Sequence, residues 1–334
     1  MSSFEETGPS VPVHYPTQVD RVHPRARFFG GVRALLAILL MLIGLVPVLV
    51  MALTAFKTRT DILASPPLVF FKPSLEGFVY LVTDRAVAAP ARLEELRKQA
   101  ESGGLTLFQR VALNGGQEIT GTSDYVSRLQ NSLIIAGLST LASVVLGLFA
   151  AYAFSRFPVA GKGDLLFFIL STRMLPGVVV TIPLFLLYRQ LHLHDTHFGM
   201  ILLYTVFNLS FSVWLLKGYI DEIPKEYEEA ALVDGYTRIQ AFFKIVLPQA
   251  ITGIAATTVF CLIFAWNEYA FALMMTNKNA QTAPPYIPSQ LGSGLTDWTV
   301  IAAGSLLFLI PVSIFTFLLR AHLLRGVTFG AIRR

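Results

Sequence analysis

The chain has 334 residues, of which 54% are hydrophobic and only 14% charged, with a net charge of +5. Soluble globular chains carry about 25% charged residues, so this one lacks the polar surface that water demands and points to a bilayer as its solvent. Its positive charges sit near the termini and in short loops between apolar runs, a distribution that fits membrane topology and not nucleic-acid binding.

Residues 1–30 form a polar lead. A spanning helix needs about 20 predominantly apolar residues, and the segments 31–55, 131–155, 165–189, 198–219, 250–275 and 298–321 meet that need. The first is too long for a cleaved signal peptide and has no small-residue cleavage site, so it reads as a retained helix. All six are apolar on every side rather than alternating, which excludes a β-barrel. The one cysteine, Cys261, lies inside an apolar run and rules out an internal disulfide or a thiolate zinc cluster.

Short-loop Lys and Arg set the expected orientation. Arg21, Arg25 and Arg27 lie in the lead, Arg156 and Lys162 after the second helix, Lys217, Lys225, Arg238 and Lys244 after the fourth, and Arg325, Arg333 and Arg334 in the tail. These regions alternate correctly for one side, the cytoplasm, and place both termini there. The opposite short loops hold little more than Arg189 and Lys278. The expected fold is therefore an all-α membrane protein with six transmembrane helices. It comprises a cytoplasmic lead 1–30, helix one at 31–55, a periplasmic insertion 56–130, helices two to six within 131–323, and a cytoplasmic tail 324–334. Mixed charge and the turn signals Pro66-Pro67, Gly103-Gly104 and Asn114-Gly115-Gly116 predict loops around one short helix, 91–101, in the insertion.

The cytoplasmic segment 221–248, between helices four and five, is polar yet organised. Pro224 suits a first helical turn, and Glu226, Glu228 and Glu229 suit the positive end of the helix dipole. Gly235 suits a left-handed helix end, and Thr237 with Gln240 forms a capping box that opens a second helix. There Ile239, Phe242, Phe243 and Val246 fall on one apolar stripe, and Pro248 ends it. From these residues alone the segment is either an interfacial anchor or a docking element for a cytoplasmic partner.

Glu229-Ala230-Ala231, three residues, Gly235, nine residues, Ile245, one residue and Leu247-Pro248 is a pattern of seven fixed positions over 20 residues. It resembles the coupling motif of binding-protein-dependent ABC importer permeases. Three further stretches look like the maltose-type carbohydrate branch of that family, in its G-type subunit: Asn131-Ser132-Leu133, Ala150 to Arg156, and Trp266-Asn267-Glu268-Tyr269. The tail Leu324 to Ala331 is similar to the family's C-terminal segment. The resemblance implies a permease subunit of an ATP-driven sugar or polyol importer in the bacterial inner membrane. It implies coupling helices at 221–248 that seat in an ATPase cleft, with Glu229 and Gly235 at the centre of the contact. Arg325, Gly326, Thr328 and Gly330 would touch the ATPases as well. The implied partners are a second permease subunit, two ATP-binding cassette subunits, a periplasmic or lipid-anchored sugar-binding protein, and membrane lipids.

Other residues bear on chemistry. A phosphate-cradling loop needs Gly-x-x-x-x-Gly-Lys-Ser/Thr, but around Gly161-Lys162 the leading glycine is Arg156 and the hydroxyl position is Gly163. No nucleotide site is expected, no cofactor in this chain, and no enzymatic activity: ATP and Mg belong to the partner ATPase. Arg173 sits in the third apolar run, where a charge costs roughly 3 kcal/mol; it reads as a pathway residue or as a structural pairing. Asn267 and Glu268, beside Trp266, read as pathway residues or as an interfacial anchor. Asn208 faces the same path or bonds a neighbouring helix. His192, His194 and His197 with Asp195 have a spacing that suits a metal, but they sit in a short external loop whose Asp195-Thr196-His197 looks like ordinary family sequence, and no metal is expected. Two other classes stand as alternatives: an ion-coupled secondary transporter, which would leave the seven-position pattern without a role, and a membrane scaffold.

Overall fold

The computed structural model describes residues 24–66, 68–289 and 297–328. It divides at Val50/Met51 into two compact units, each taken by itself. The first contains helix α1 (Pro24–Ala55) as far as Val50, apolar but for Arg33 in its membrane-length part. The lead ahead of Pro24 lies outside the described residues.

The second unit opens with the end of α1 and the short helices α2 (Arg59–Leu63) and α3 (Glu76–Val82). It continues through strand β1 (Thr83–Val87), helices α4 (Pro90–Glu101) and α5 (Leu107–Asn114), and strand β2 (Gln117–Thr122). The strands pair antiparallel from Thr83↔Thr122 to Val87↔Gln117, with an irregularity at Asp84/Arg85. Among the described residues this strand pair is the one departure from an all-helical reading. It closes the foot of the insertion, where the Ser123 N–H donates to the Val82 carbonyl at 3.1 Å. Arg85 adds an ion pair to Asp297, just ahead of the last helix, and stacks on Tyr80, 3.8 Å from its ring centre.

Then come α6 (Tyr125–Arg156), α7 (Lys162–Ser171), a 3-10 turn (Thr172–Met174), α8 (Gly177–Gln190), α9 (His197–Asp221) and α10 (Glu226–Val233). They are followed by α11 (Arg238–Ala241), a π-helical turn (Phe242–Val246), α12 (Leu247–Gln249), α13 (Ile251–Trp266), α14 (Ala270–Met275), α15 (Ala283–Ser289) and α16 (Trp298–Thr328). Among the described residues four helices are long and apolar enough to cross a membrane, and six spans result if each sharply bent pair counts as one. The third span is not the continuous helix that its apolar run suggests: it breaks by 92° between Met174 and Gly177. Pro176 lacks the N–H that the helix would need there and biases Leu175 toward extended backbone. The fifth run is likewise divided, into α13 and α14, at Asn267–Tyr269.

α6 and α9 are packed along their length through a stripe of small residues. Ser139, Ser143, Gly147 and Ala151 recur every four positions on α6, and all four are buried. A Cβ at Gly147 would stand 2.5 Å from the Ser212 Cβ and 3.2 Å from its carbonyl carbon, so the backbones approach as closely as glycine allows. Trp266 of α13 stacks on Phe308 of α16 at 4.7 Å and 17°, and its indole N–H donates to the Phe308 carbonyl.

At the end of the bundle holding 192–196 and 276–283, Asp195 acts as a staple. It accepts from the backbone N–H groups of Asn277, Lys278, Asn279 and Ala280 at 3.0–3.1 Å, while its own N–H donates to Met275. The Asn131 amide donates to the Asn279 and Gln281 carbonyls, which turns its oxygen toward His197 Nε2 at 2.8 Å and makes that nitrogen the donor. The histidines therefore diverge: His197 meets Asn131, and His194 meets the Phe185 ring edge-on. Among the described residues no three metal-binding side chains gather. Burial pushes the Asp195 carboxyl up, but donation from Asn279, Asn277, Ala280 and Lys278 outweighs it and holds it below the usual carboxylate range. Asp195→Asn is expected to destabilise the protein in detergent by about 1–2 kcal/mol at neutral pH. Because the folded carboxyl binds its proton less readily than the unfolded one, the wild type loses this stability as pH falls below about 4. Thermal midpoints of the two proteins should therefore converge there, and a constant gap across pH would refute the assignment.

Candidate functional site

Two regions hold most of the residues singled out in the sequence. The first is the segment after α9. Glu226, Glu228 and Glu229 lie in the first turn of α10, where unpaired N–H groups favour carboxylates. α10 ends at Asp234, and Gly235 takes φ +88°. The Gly235 N–H donates to the Leu232 carbonyl and the Tyr236 N–H to that of Ala231, at 3.1 and 3.0 Å, the two bonds of a Schellman turn. Thr237 and Gln240 then form the reciprocal capping box that starts α11.

The apolar stripe of this second helix is split by the structure. Phe242 and Val246 are buried against Leu148, Tyr152 and Leu216, whereas Ile239 and Phe243 are 71% and 50% exposed. The π turn over Phe242–Val246 widens the winding, so the buried positions recur at 242, 246 and 250 rather than on the 3.6-residue stripe. Pro248 does not end the helix; it lies inside the short α12, and the chain turns by 72° into α13. An α-helical turn would set the proline ring against the carbonyl four residues back, and the wider turn relieves that clash.

The outcome is an exposed surface. Glu229, Ala230 and Gly235 lie on it, with Tyr227, Val233 (88% exposed), Tyr236, Ile239 and Phe243 as apolar contacts beside them. Ala231 is buried beneath, Ile245 and Leu247 are half-buried, and Pro248 is exposed. Glu228, which the sequence reading did not separate from its neighbours, points the other way. It is buried, accepts from the Tyr152 hydroxyl at 2.9 Å and is ion-paired with Arg156. Along α10 it lies three residues from buried Ala231, so both face the bundle, and nothing in the sequence marks it off from Glu229.

The second region is a cavity of about 300 Å³ at the break in the third span, lined by Arg173, Asn208, Glu268, Tyr204, Phe207 and Phe264 among others. Arg173 donates to the Phe207 carbonyl at 2.8 Å and stands 4.4 Å from the Phe264 ring centre. Glu268 accepts from the Tyr204 hydroxyl (2.9 Å) and from the Phe271 and Ala272 N–H groups (2.9 and 3.0 Å), satisfying the open start of α14. Asn208 donates to the Cys261 carbonyl at 3.2 Å, joining α9 to α13. Trp266 and Asn267 are not on this wall: Trp266 faces Phe308, and Asn267 donates back to Ile263. Tyr204, Phe207 and Phe264 were missed because nothing in an all-round apolar helix distinguishes its cavity side. In the tail, Arg325, Gly326 and Thr328 fall in the last turns of α16, and Gly330 lies outside the described residues.

Residues 143–329 match the family described as binding-protein-dependent transport system inner membrane component. Among curated proteins, the trehalose transport system permease protein SugB of Mycobacterium tuberculosis is 37% identical over 212 residues, covering 63% of this chain and 77% of SugB. The trehalose/maltose transport system permease protein MalG of Thermococcus litoralis is 30% identical over 299 residues, covering 89% and 94%. Among solved structures, a bacterial ABC transporter involved in the import of the acidic polysaccharide alginate has a chain that superposes with a TM-score of 0.64. That match is 20% identical, covers 89% of this chain and 97% of the other, and is a likeness of fold.

Proposed function

The chain belongs to the binding-protein-dependent transport system inner membrane components, and from that premise we propose that it is the permease subunit of an ATP-driven importer for a sugar or polyol. The observation that carries the reading is the exposed face of α10 to α12, a rigid capped surface that presents Glu229, Ala230 and Gly235 together with unburied apolar side chains. Four of the seven patterned positions, Glu229, Ala230, Gly235 and Pro248, are exposed on it, and a face that mixes Glu229 with these apolar side chains suits a protein partner better than hydrocarbon.

In this reading the face lies in the cytoplasm with both termini and seats on one of two ATPase subunits, which bind ATP and Mg. A second permease subunit completes the channel, and a binding protein delivers the substrate from outside. ATP binding closes the ATPases, the coupling helices follow, and the bundle switches between inward- and outward-facing states. The cavity at the break of the third span is then a station on the path. Arg173 donates hydrogen bonds there, Phe264 and Phe207 offer flat apolar surfaces, and Glu268 holds the helix end that shapes the wall. The names of SugB and MalG support a glycoside as cargo.

The test is purification of the tagged chain from its host in mild detergent, with mass spectrometry of whatever accompanies it. A second permease and an ATPase, the latter in two copies per complex, are the expected result. Recovery of the chain alone, under conditions that preserve known complexes of this kind, would favour a stand-alone transporter instead.

A further inference from the structure

We propose that Arg156 and Glu228, supported by Tyr152, are positioning residues that lock the first coupling helix to the ends of α6 and α9, so that all three move as one body during transport. The proposal rests on the reading of α10 to α12 as the ATPase-facing surface and adds what carries its motion into the membrane.

The geometry is specific. Of the three carboxylates in the first turn of α10, only Glu228 is buried, so the helix dipole is served without it. Removing a carboxylate from water is costly unless its partners replace the lost hydration. Here Arg156 Nε donates to one oxygen and the Tyr152 hydroxyl to the other. The same guanidinium donates through Nη2 to the carbonyls of Ile220 and Ile223 at 3.1 and 2.9 Å, at the open C-terminal end of α9. One side chain at the end of α6 therefore holds both the end of α9 and the start of α10. A lysine has a point charge and lacks the planar fork that serves two directions at once. The Tyr152 ring also packs on Phe242 at 4.7 Å, which ties the lock to the π turn of the second coupling helix. Buried ion pairs add little net stability but fix geometry, and fixed geometry is what a lever needs.

The experiment is a pulsed electron-spin distance measurement on the purified complex, with labels at Glu226 of α10 and Leu146 of α6. Both positions are exposed, and Cys261 is fully buried and will not take label. The expected result is one narrow distance, the same without nucleotide and in the ATP-vanadate trapped state. Glu228→Gln is expected to broaden it and make it differ between the two states, whereas Tyr152→Phe, which leaves the ion pair, keeps it narrow. A distance that changes between states in the otherwise native complex overturns the proposal, as does a Glu228→Gln complex as narrow as the native one. If Glu228→Gln does not assemble, the two-state comparison in the native complex still decides. Should no ATPase accompany the native chain, the functional reading itself fails, before any variant is made.

Discussion

A Gly235→Val chain is expected to insert into the membrane in normal amount while substrate uptake falls by a factor of roughly 5–30, because a β-branched residue in left-handed backbone costs about 1–2 kcal/mol. The glycine stands at φ +88°, and an added Cβ would meet nothing within 4 Å. The penalty is therefore one of backbone conformation. It falls on the turn that sets α11 at its angle to α10, so these two helices would lose their mutual placement before the bundle lost anything. Asn, which tolerates left-handed backbone better, should retain more uptake than Ala, and Ala more than Val. Uptake per inserted chain across the three variants is the measurement. Equal loss for all three would mean that the partner needs the bare glycine surface, and full uptake by the Val variant would remove Gly235 from the mechanism.

The second large effect concerns the bundle itself. Gly147→Leu is expected to lower the stability of the detergent-purified chain by about 3 kcal/mol or more, seen as a fall in thermal midpoint and yield. Even the first added carbon would stand 2.5 Å from Ser212 Cβ, and backbone atoms of Ser212 and Val213 lie just behind it. α6 and α9 would have to separate, uncovering the serines and threonines that line their seam. Gly137, on the same helix, has nothing within 4 Å of its virtual Cβ, so Gly137→Leu serves as the control and should stay within about 0.5 kcal/mol of wild type. Equal midpoints for the two leucine variants would show that the seam is looser than drawn.

Much of this was visible in the residues because a bilayer imposes a simple length rule. Six apolar runs and a polar segment with a glycine between two caps are local signals. The Gly235 turn and the Thr237–Gln240 box follow from neighbours within five residues. What local signals do not contain is the direction in which a side chain points. Glu228 and Glu229 read alike until α6 is placed beside α10, where Arg156 selects one of them. The stripe 239–246 was read with a 3.6-residue period, and the π turn before Pro248 changed the period itself. The bend in the third span was foreshadowed by Pro176, but its angle depends on α9 and α14, against which Arg173 and Gly177 settle. The strand pair escaped notice for another reason. Its halves lie some thirty residues apart, and neither has the alternation that marks a sheet with one dry face.

That strand pair has a consequence for how the molecule can vary. β1 begins where α3 ends, β2 ends next to the start of α6, and the two meet at Thr83 and Thr122. Everything from 84 to 121 thus leaves and re-enters the helical body through a single doorway two strands wide. The segment is nevertheless tied to the helices on the way: Arg85 pairs with Asp297, and Ala112 and Ile119 pack in one apolar cluster with Tyr80 and Val300, so a change of length is cheap at the exposed turn 102–104 and costly near 85, 112 and 119. Variation in the insertion is thus confined to its outer turn, while the strand pair and the residues that dock on α3 and α16 hold the rest in place.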